Sequence, residues 1–192
     1  SMNHQYKEVE VPVLEAEHLQ LRPISEKDIA ALFNLFSSEK VTRFMDIERF
    51  INVSEAAQLV VFFREKLLSG EGMRWGIFQQ DNDTLIGTCG LHHINKTHYK
   101  AEMGYDLLPA FWGKGIMTAS LNRLLQYAFE ALSLNRIEAV VDPANKLSIL
   151  LLERLGFQQE GLLRQAFFQK GQFVDAYMFS LLSSEYNYEL RY

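Results

Sequence analysis

The chain has one cysteine, Cys89, among its 192 residues. No internal disulfide can form, and nothing points to secretion. Cys89 falls in a stretch that reads as a strand and is expected to pack there, not to act as a nucleophile. No apolar run approaches the roughly 18 residues of a membrane span, and no charged-then-apolar leader opens the chain. The expectation is a cytoplasmic protein with no membrane partner. Basic clustering is also missing. A net charge of −5 argues against nucleic acid as the main partner, because a surface that tracks phosphates needs an excess of Lys and Arg. The five histidines, at 4, 18, 92, 93 and 98, show no ligand spacing with cysteine or carboxylates, so no metal is expected.

What is present suffices for one domain with a substantial core: nearly half the residues are apolar, and no linker, repeat or low-complexity tract divides the chain. Residues 1–14 read as an N-terminal tail, with Ser1-Met2 set aside as an expression remnant. Residues 15–185 read as the domain and 186–192 as a C-terminal tail. Alternation marks strands at His18–Ile24, Trp75–Gln79, Leu85–Leu91, Lys100–Leu108 and Arg136–Val141, and around Phe157–Leu163 and Val174–Leu182. Ser25, with Asp28 at the third helical position, opens a helix that turns Ile29, Leu32, Phe33 and Phe36 inward. A loop from Ser37 to Val53 leads to a second helix capped by Ser54, with Ala57, Val60, Val61, Phe62 and Leu68 on its buried side, closing at Gly70. These two helices and their loop make a wall for an acceptor, in which Arg43, Phe44, Met45 and Phe50 read as core or rim. The fold class is α/β (α+β): a mixed, mostly antiparallel sheet of about seven strands with helices on both faces.

The stretch Glu102–Leu132 organises the chain. A strand hands over through Trp112-Gly113-Lys114-Gly115-Ile116-Met117-Thr118 to a helix whose Ile116, Leu121, Leu124, Leu125, Ala128, Phe129 and Leu132 recur with the period of one buried face. Glycines let backbone approach a ligand, and the first N–H groups of a helix lack partners and carry partial positive charge. Such a place binds phosphate. A tight structural turn asks for glycine equally. Two phosphate loops are excluded: Gly115 is followed by Ile116 and not by the lysine of the Walker form, and Thr118 stands where the dinucleotide form needs its third glycine. Lys114 and the helix start could serve a phosphorylated cofactor, with Lys146 and Arg154 as weaker candidates.

Gly113-Lys114-Gly115 after Trp112 resembles the acetyl-coenzyme A loop of the GNAT N-acetyltransferases, in particular the RimJ/RimL-type, ribosomal-protein N-terminal acetyltransferase-like branch. The chain departs from the family pattern at its first position, Trp112, and its last, Met117. A second element follows in the family's order: Asn145-Lys146-Leu147-Ser148 opens a helix that closes on Leu155-Gly156-Phe157. The resemblance implies an acyl-CoA N-acyltransferase fold whose sheet splays at the cofactor site. It also implies acetyl-CoA as cofactor, with Leu107 and Leu108 as backbone partners, Trp112, Gly113, Lys114, Gly115, Ile116, Met117 and Thr118 at the pyrophosphate, and Asn145 at the pantetheine arm.

Acetyl transfer to nitrogen needs an uncharged amine, a polarised thioester carbonyl and a proton for the departing thiolate. A backbone N–H near Leu107–Leu108 could polarise the carbonyl. Ser148 matches the family position for protonating the thiolate, although a serine in a first turn is also an ordinary helix-start residue. The glutamate expected of the ribosomal-protein branch is absent, Phe167 standing in its place. Glu102, which shares one strand face with Gly104 and Asp106, is the best remaining base, acting directly or through a water, with Asp175 second; either also reads as a sheet-rim carboxylate. Phe167 and Phe168 line the acceptor pocket or simply pack. A weak base favours an α-amine of a protein, peptide or small molecule, which attacks acetyl-CoA directly in a ternary complex; the protein itself is expected to be a monomer or homodimer. The rival reading is a protein of this fold that binds acetyl-CoA with little or no transfer.

Overall fold

The computed structural model describes residues 9–186. Eight strands form one sheet in the order β1-β2-β3-β4-β5-β6-β8-β7: β1 Leu14–Ala16, β2 Leu19–Pro23, β3 Met73–Gln79, β4 Gly87–Asn95, β5 Lys100–Leu107, β6 Arg136–Val141, β7 Gln158–Gln169 and β8 Gln172–Leu182. Among the described strands only β5 and β6 pair in parallel. The sheet is mixed, mostly antiparallel and flanked on both faces by helices, as the sequence pattern implies. It has one strand more than expected. The extra strand, β1, starts inside the stretch read as a tail, where Val11 and Leu14 are buried in the core.

Period-two alternation divides the side chains between two apolar layers. Trp75, Ile77, Ala101, Met103 and Leu107 face α4 (Ile116–Gln126), its π-helical extension Tyr127–Ala131, and α5 (Lys146–Arg154). Phe78, on the alternate face of β3, and Leu85 pack with α1 (Ile29–Phe36) and α3 (Val53–Ser69). Along α4 and its extension, Leu121, Leu124, Leu125, Ala128 and Phe129 are buried, the face its periodicity marks out. Cys89 is buried in β4, and desolvation pushes its thiol up to about 12, which leaves a packing role.

Four local readings are corrected. The loop from Ser37 contains a short helix, α2 (Glu39–Thr42), capped by the Ser38 hydroxyl. Helix α3 begins one residue before Ser54: Asn52 caps it, and Glu55 returns to accept the Asn52 N–H at 3.1 Å, a reciprocal pair that satisfies two orphan donors. Its buried stripe is Ala56 and Val60 with Leu59 and Leu67 alongside, while Val61, Phe62 and Leu68 are exposed. The run Leu59-Val60-Val61-Phe62-Phe63 is apolar all round, so its sequence does not single out the inward face. The β7–β8 hairpin is also longer than expected, and turns at Lys170 and Gly171, both with positive φ, as its tight turn requires.

Candidate active site

Strands β5 and β6 pair from Lys100↔Arg136 through Glu102↔Glu138 and no further. Beyond Glu102 they part, and a cleft of about 1030 Å³ opens between Met103–Leu107 on one side and Ala139–Val141 on the other. The expected splay is therefore present, and it exposes one edge of β5. Leu108 donates its N–H to Ile86 at 2.9 Å. Hydrogen-bonded pairs alternate along an antiparallel ladder, so the Leu107 N–H is directed away from β4 and toward the slot. Of the two leucines, Leu107 alone offers a donor there, and Leu108 does not line the cleft.

At the cleft's outer end the Trp112 indole donates to the Leu107 carbonyl at 2.7 Å, closing the loop onto the end of β5. Gly113 (φ 74°) and Gly115 (φ 78°) both adopt left-handed backbone, and a Cβ on either would meet open space. Glycine is thus required by the turn, and beyond the chain neighbours no described residue comes within 4 Å of a Cβ placed at either position. Gly115 is the N-cap of α4, and no side chain caps that helix. The N–H groups of Ile116, Met117 and Thr118 consequently face the cleft mouth without helical partners, an arrangement suited to a pyrophosphate. Trp112, Gly113, Gly115, Ile116, Met117 and Thr118 all line the cleft. Lys114 does not; its Nζ lies 5.6 Å from the centre of the Phe111 ring. Lys146 and Arg154 line the cleft and are the better placed cations.

Asn145 caps α5, its Oδ1 accepting from the Ser148 N–H at 3.3 Å. This leaves the amide nitrogen as the group that can reach a ligand arm. Ser148 Oγ makes a short hydrogen bond with the Tyr105 hydroxyl. Tyr105 was not singled out in the sequence, because its partner lies on an element that only the splayed sheet brings close. Burial pushes its phenol up to about 12, so it stays protonated at neutral pH and can donate.

Glu102 points to the opposite face, the side of α1 and α3. Its Oε2 lies 2.8 Å from His92 Nε2 and 3.1 Å from His93 Nδ1, and the hydrogen bond from His92 leads the causes that lower its carboxyl from the ordinary range. On the same face Asp106 is buried. It pairs with Arg74 Nη2 at 2.9 Å and accepts from the backbone N–H and hydroxyl of Thr88 at 3.0 and 2.8 Å. Burial pushes its carboxyl up while Arg74 and Thr88 pull it down. Lys40, Arg43, Phe44, Met45 and Asp46 complete this wall, whereas Phe50 packs on Phe36 at 5.4 Å between ring centres.

The remaining candidates lie elsewhere. Asp175 Oδ1 accepts the Gln165 N–H at 2.7 Å, tying an irregularity in the β7–β8 hairpin, and does not line the cleft. Phe167 and Phe168 pair with Val174 and Phe173 near the hairpin end, also outside the cleft. The hairpin meets the acceptor wall through its turn, where Lys170 Nζ donates to the Thr42 carbonyl at 2.9 Å.

A slot between splayed strands, uncapped helix amides at its mouth, and a proton donor and a carboxylate on its two faces fit a thioester carrying a pyrophosphate. Comparison with known proteins agrees. The acetyltransferase (GNAT) domain family matches residues 18–158. The chain is 42% identical to "Uncharacterized N-acetyltransferase p20" of Bacillus licheniformis, over 90% of this chain and 97% of that one. It is 30% identical to "Putative ribosomal N-acetyltransferase YdaF" of Bacillus subtilis, over 90% and 96%. Among solved structures, spermidine N-acetyltransferase from Vibrio cholerae in complex with CoA and spermine superposes with a TM-score of 0.77 at 28% identity, covering 88% of this chain and 98% of that one. The chain belongs to the GNAT acetyltransferase family and is an N-acetyltransferase that uses acetyl-CoA.

Proposed function

We propose that the protein transfers the acetyl group to an α-amine of a protein, peptide or small molecule, by direct attack in a ternary complex. The observation that carries this reading is the charge of the acceptor wall. Lys40 and Arg43 stand against Asp46 and Glu102, and Arg74 and Asp106 are matched to each other. A polyamine carries several positive charges and calls for an excess of acid, which this wall does not have. Acetyl-CoA, when bound, supplies an activated acyl carbon and a thiolate leaving group.

The chain's own groups do the rest. The amides of Ile116, Met117 and Thr118 hold the pyrophosphate, with Lys146 and Arg154 adding charge, and the Asn145 amide meets the arm. The Leu107 N–H is aimed to polarise the thioester carbonyl. Ser148, replenished by Tyr105, donates the proton the thiolate needs. Glu102, held ionised by His92 and His93, takes the proton of the incoming ammonium, directly or through a water. A carboxylate so stabilised is a weak base. Deprotonating a lysine-type amine (pKa about 10.4) costs about 3 kcal/mol more than an α-amine (about 7.7–8.0), so the same base favours the α-amine.

The test is thiol release from acetyl-CoA with a panel of peptides bearing free α-amines, Nα-blocked lysine and spermidine. A kcat/KM for α-amines at least about tenfold above the others, a gap of about 1.4 kcal/mol, is expected. Preference for spermidine or lysine side chains overturns the acceptor reading, and absence of thiol release with every amine favours acetyl-CoA binding without transfer.

A further inference from the structure

His92, His93 and Glu102 each present one donor atom, two imidazole nitrogens and a carboxylate oxygen, all within 4.8 Å of one another; His92 Nε2 and His93 Nδ1 are the nitrogens that face Glu102 Oε2. Adjacent strand residues normally point to opposite faces, and His93 departs from that rule. The β4–β5 register shifts between His92 and Asn95, and His93 takes φ 50°, a left-handed conformation uncommon for a residue with a side chain. The bulge swings the second imidazole round to the first, with ring centres 5.0 Å apart and planes at 78°. Glu102, directly opposite His92 in the register, supplies the third donor.

We propose that this cluster binds a divalent transition-metal ion of the zinc class, and that occupancy withdraws Glu102 from acid–base work. The second clause rests on the reading of Glu102 as the base; the first does not. Two imidazoles and a carboxylate form a nitrogen-rich donor set that suits zinc, nickel or copper over magnesium or calcium. A tetrahedral ion holds its ligands about 3.3 Å apart. The 2.8 and 3.1 Å separations now seen need to open by at most about half an ångström, while the widest separation in the set, up to 4.8 Å, closes by up to about 1.5 Å as the exposed imidazoles turn toward the ion. An imidazole ligates metal through the ring nitrogen that carries no proton, so the tautomers protonated at His92 Nδ1 and His93 Nε2 present the two nitrogens facing Glu102. The entry is open: the side chains of His92 and His93 are 44% and 76% exposed. A separate cavity of about 360 Å³, lined by Phe62, Phe63 and Lys66 of α3 and by both histidines, leaves room for a water as fourth ligand. The neighbouring Arg74 guanidinium is matched by Asp106 and does not leave the site with an uncompensated positive charge.

Zinc chloride titrated calorimetrically into chelator-stripped protein should show one equivalent bound. His93→Ala and Glu102→Gln should each weaken it by at least about tenfold, while His98→Ala, in the β4–β5 turn, should bind as the parent does and magnesium should not bind. No binding as the ion approaches millimolar, or His93→Ala binding zinc like the parent, overturns the site. In a second arm, transfer is measured with and without zinc for each protein. The parent should be inhibited at site occupancy and restored by chelator, and the ratio should move to higher zinc in His93→Ala. Binding without inhibition upholds the site and overturns Glu102 as the base. Inhibition that persists unchanged in His93→Ala overturns the link between this site and activity.

Discussion

Ser148 and Tyr105 share one hydrogen bond although 43 positions separate them, and the chemistry assigned to them follows from that bond. A thiol with a pKa of about 8.5 leaves readily, so its proton donor contributes at or below the low end of general-acid catalysis. Ser148→Ala should therefore lower kcat about 10–100-fold with little change in KM for acetyl-CoA. Tyr105→Phe keeps the buried ring and should cost only several-fold in kcat. Steady-state kinetics checks both; a change confined to KM would mean the pair only packs. Arg74 makes a sharper case for stability. Arg74→Met leaves the buried Asp106 carboxylate without its counter-ion and should destabilise by about 3–5 kcal/mol. Adding Asp106→Asn should recover much of that loss, as equilibrium urea unfolding of the single and double variants would show.

Between β5 and α4, the left-handed backbone at Gly113 and Gly115, with the Trp112 indole tied to the Leu107 carbonyl, shapes the mouth proposed for the phosphates. A side chain at Gly115 meets open space, so its cost to the free protein is the left-handed φ, on the order of 1–3 kcal/mol. The same side chain occupies the volume a pyrophosphate would enter. Gly115→Val should weaken acetyl-CoA binding by well over about tenfold, more than 1.4 kcal/mol, while lowering the melting temperature by only several degrees. Calorimetry beside a melting curve separates the two. The β7–β8 hairpin shows the limits of local pattern in the other direction. Its first strand is exposed along most of its length, because it pairs only with β8 and lies at the sheet edge. Asp175 and the two phenylalanines are part of that hairpin and not of the cleft.

Across the end of the sheet, Arg136 of β6 reaches past β8 to Glu160 of β7, with Nη2 donating to Oε1 at 2.9 Å, and the Ser180 hydroxyl of β8 donates to the same carboxylate. The Arg136 hydrogen bond, then Ser180, hold the Glu160 carboxyl down at about 2. A depressed carboxyl stabilises the fold at pH values above its unfolded pKa of about 4.3 and loses that contribution as pH falls through the folded value. The melting-temperature gap between parent and Glu160→Gln should therefore be present at neutral pH, shrink below about pH 4 and close near pH 2. Solvent screening of the half-exposed pair keeps the effect under about 1 kcal/mol. Local information sufficed for much of this molecule: the α4 stripe, the Gly113–Gly115 turn and the Asn145 cap are set by residues within a few positions of each other, whose backbone preferences and periodicity act without the rest of the chain. The inward face of α3, the Tyr105–Ser148 bond and the meeting of His92, His93 and Glu102 were decided by tertiary structure. Each depends on strand register, a bulge or the parting of β5 from β6, and these are settled only when distant segments pack together.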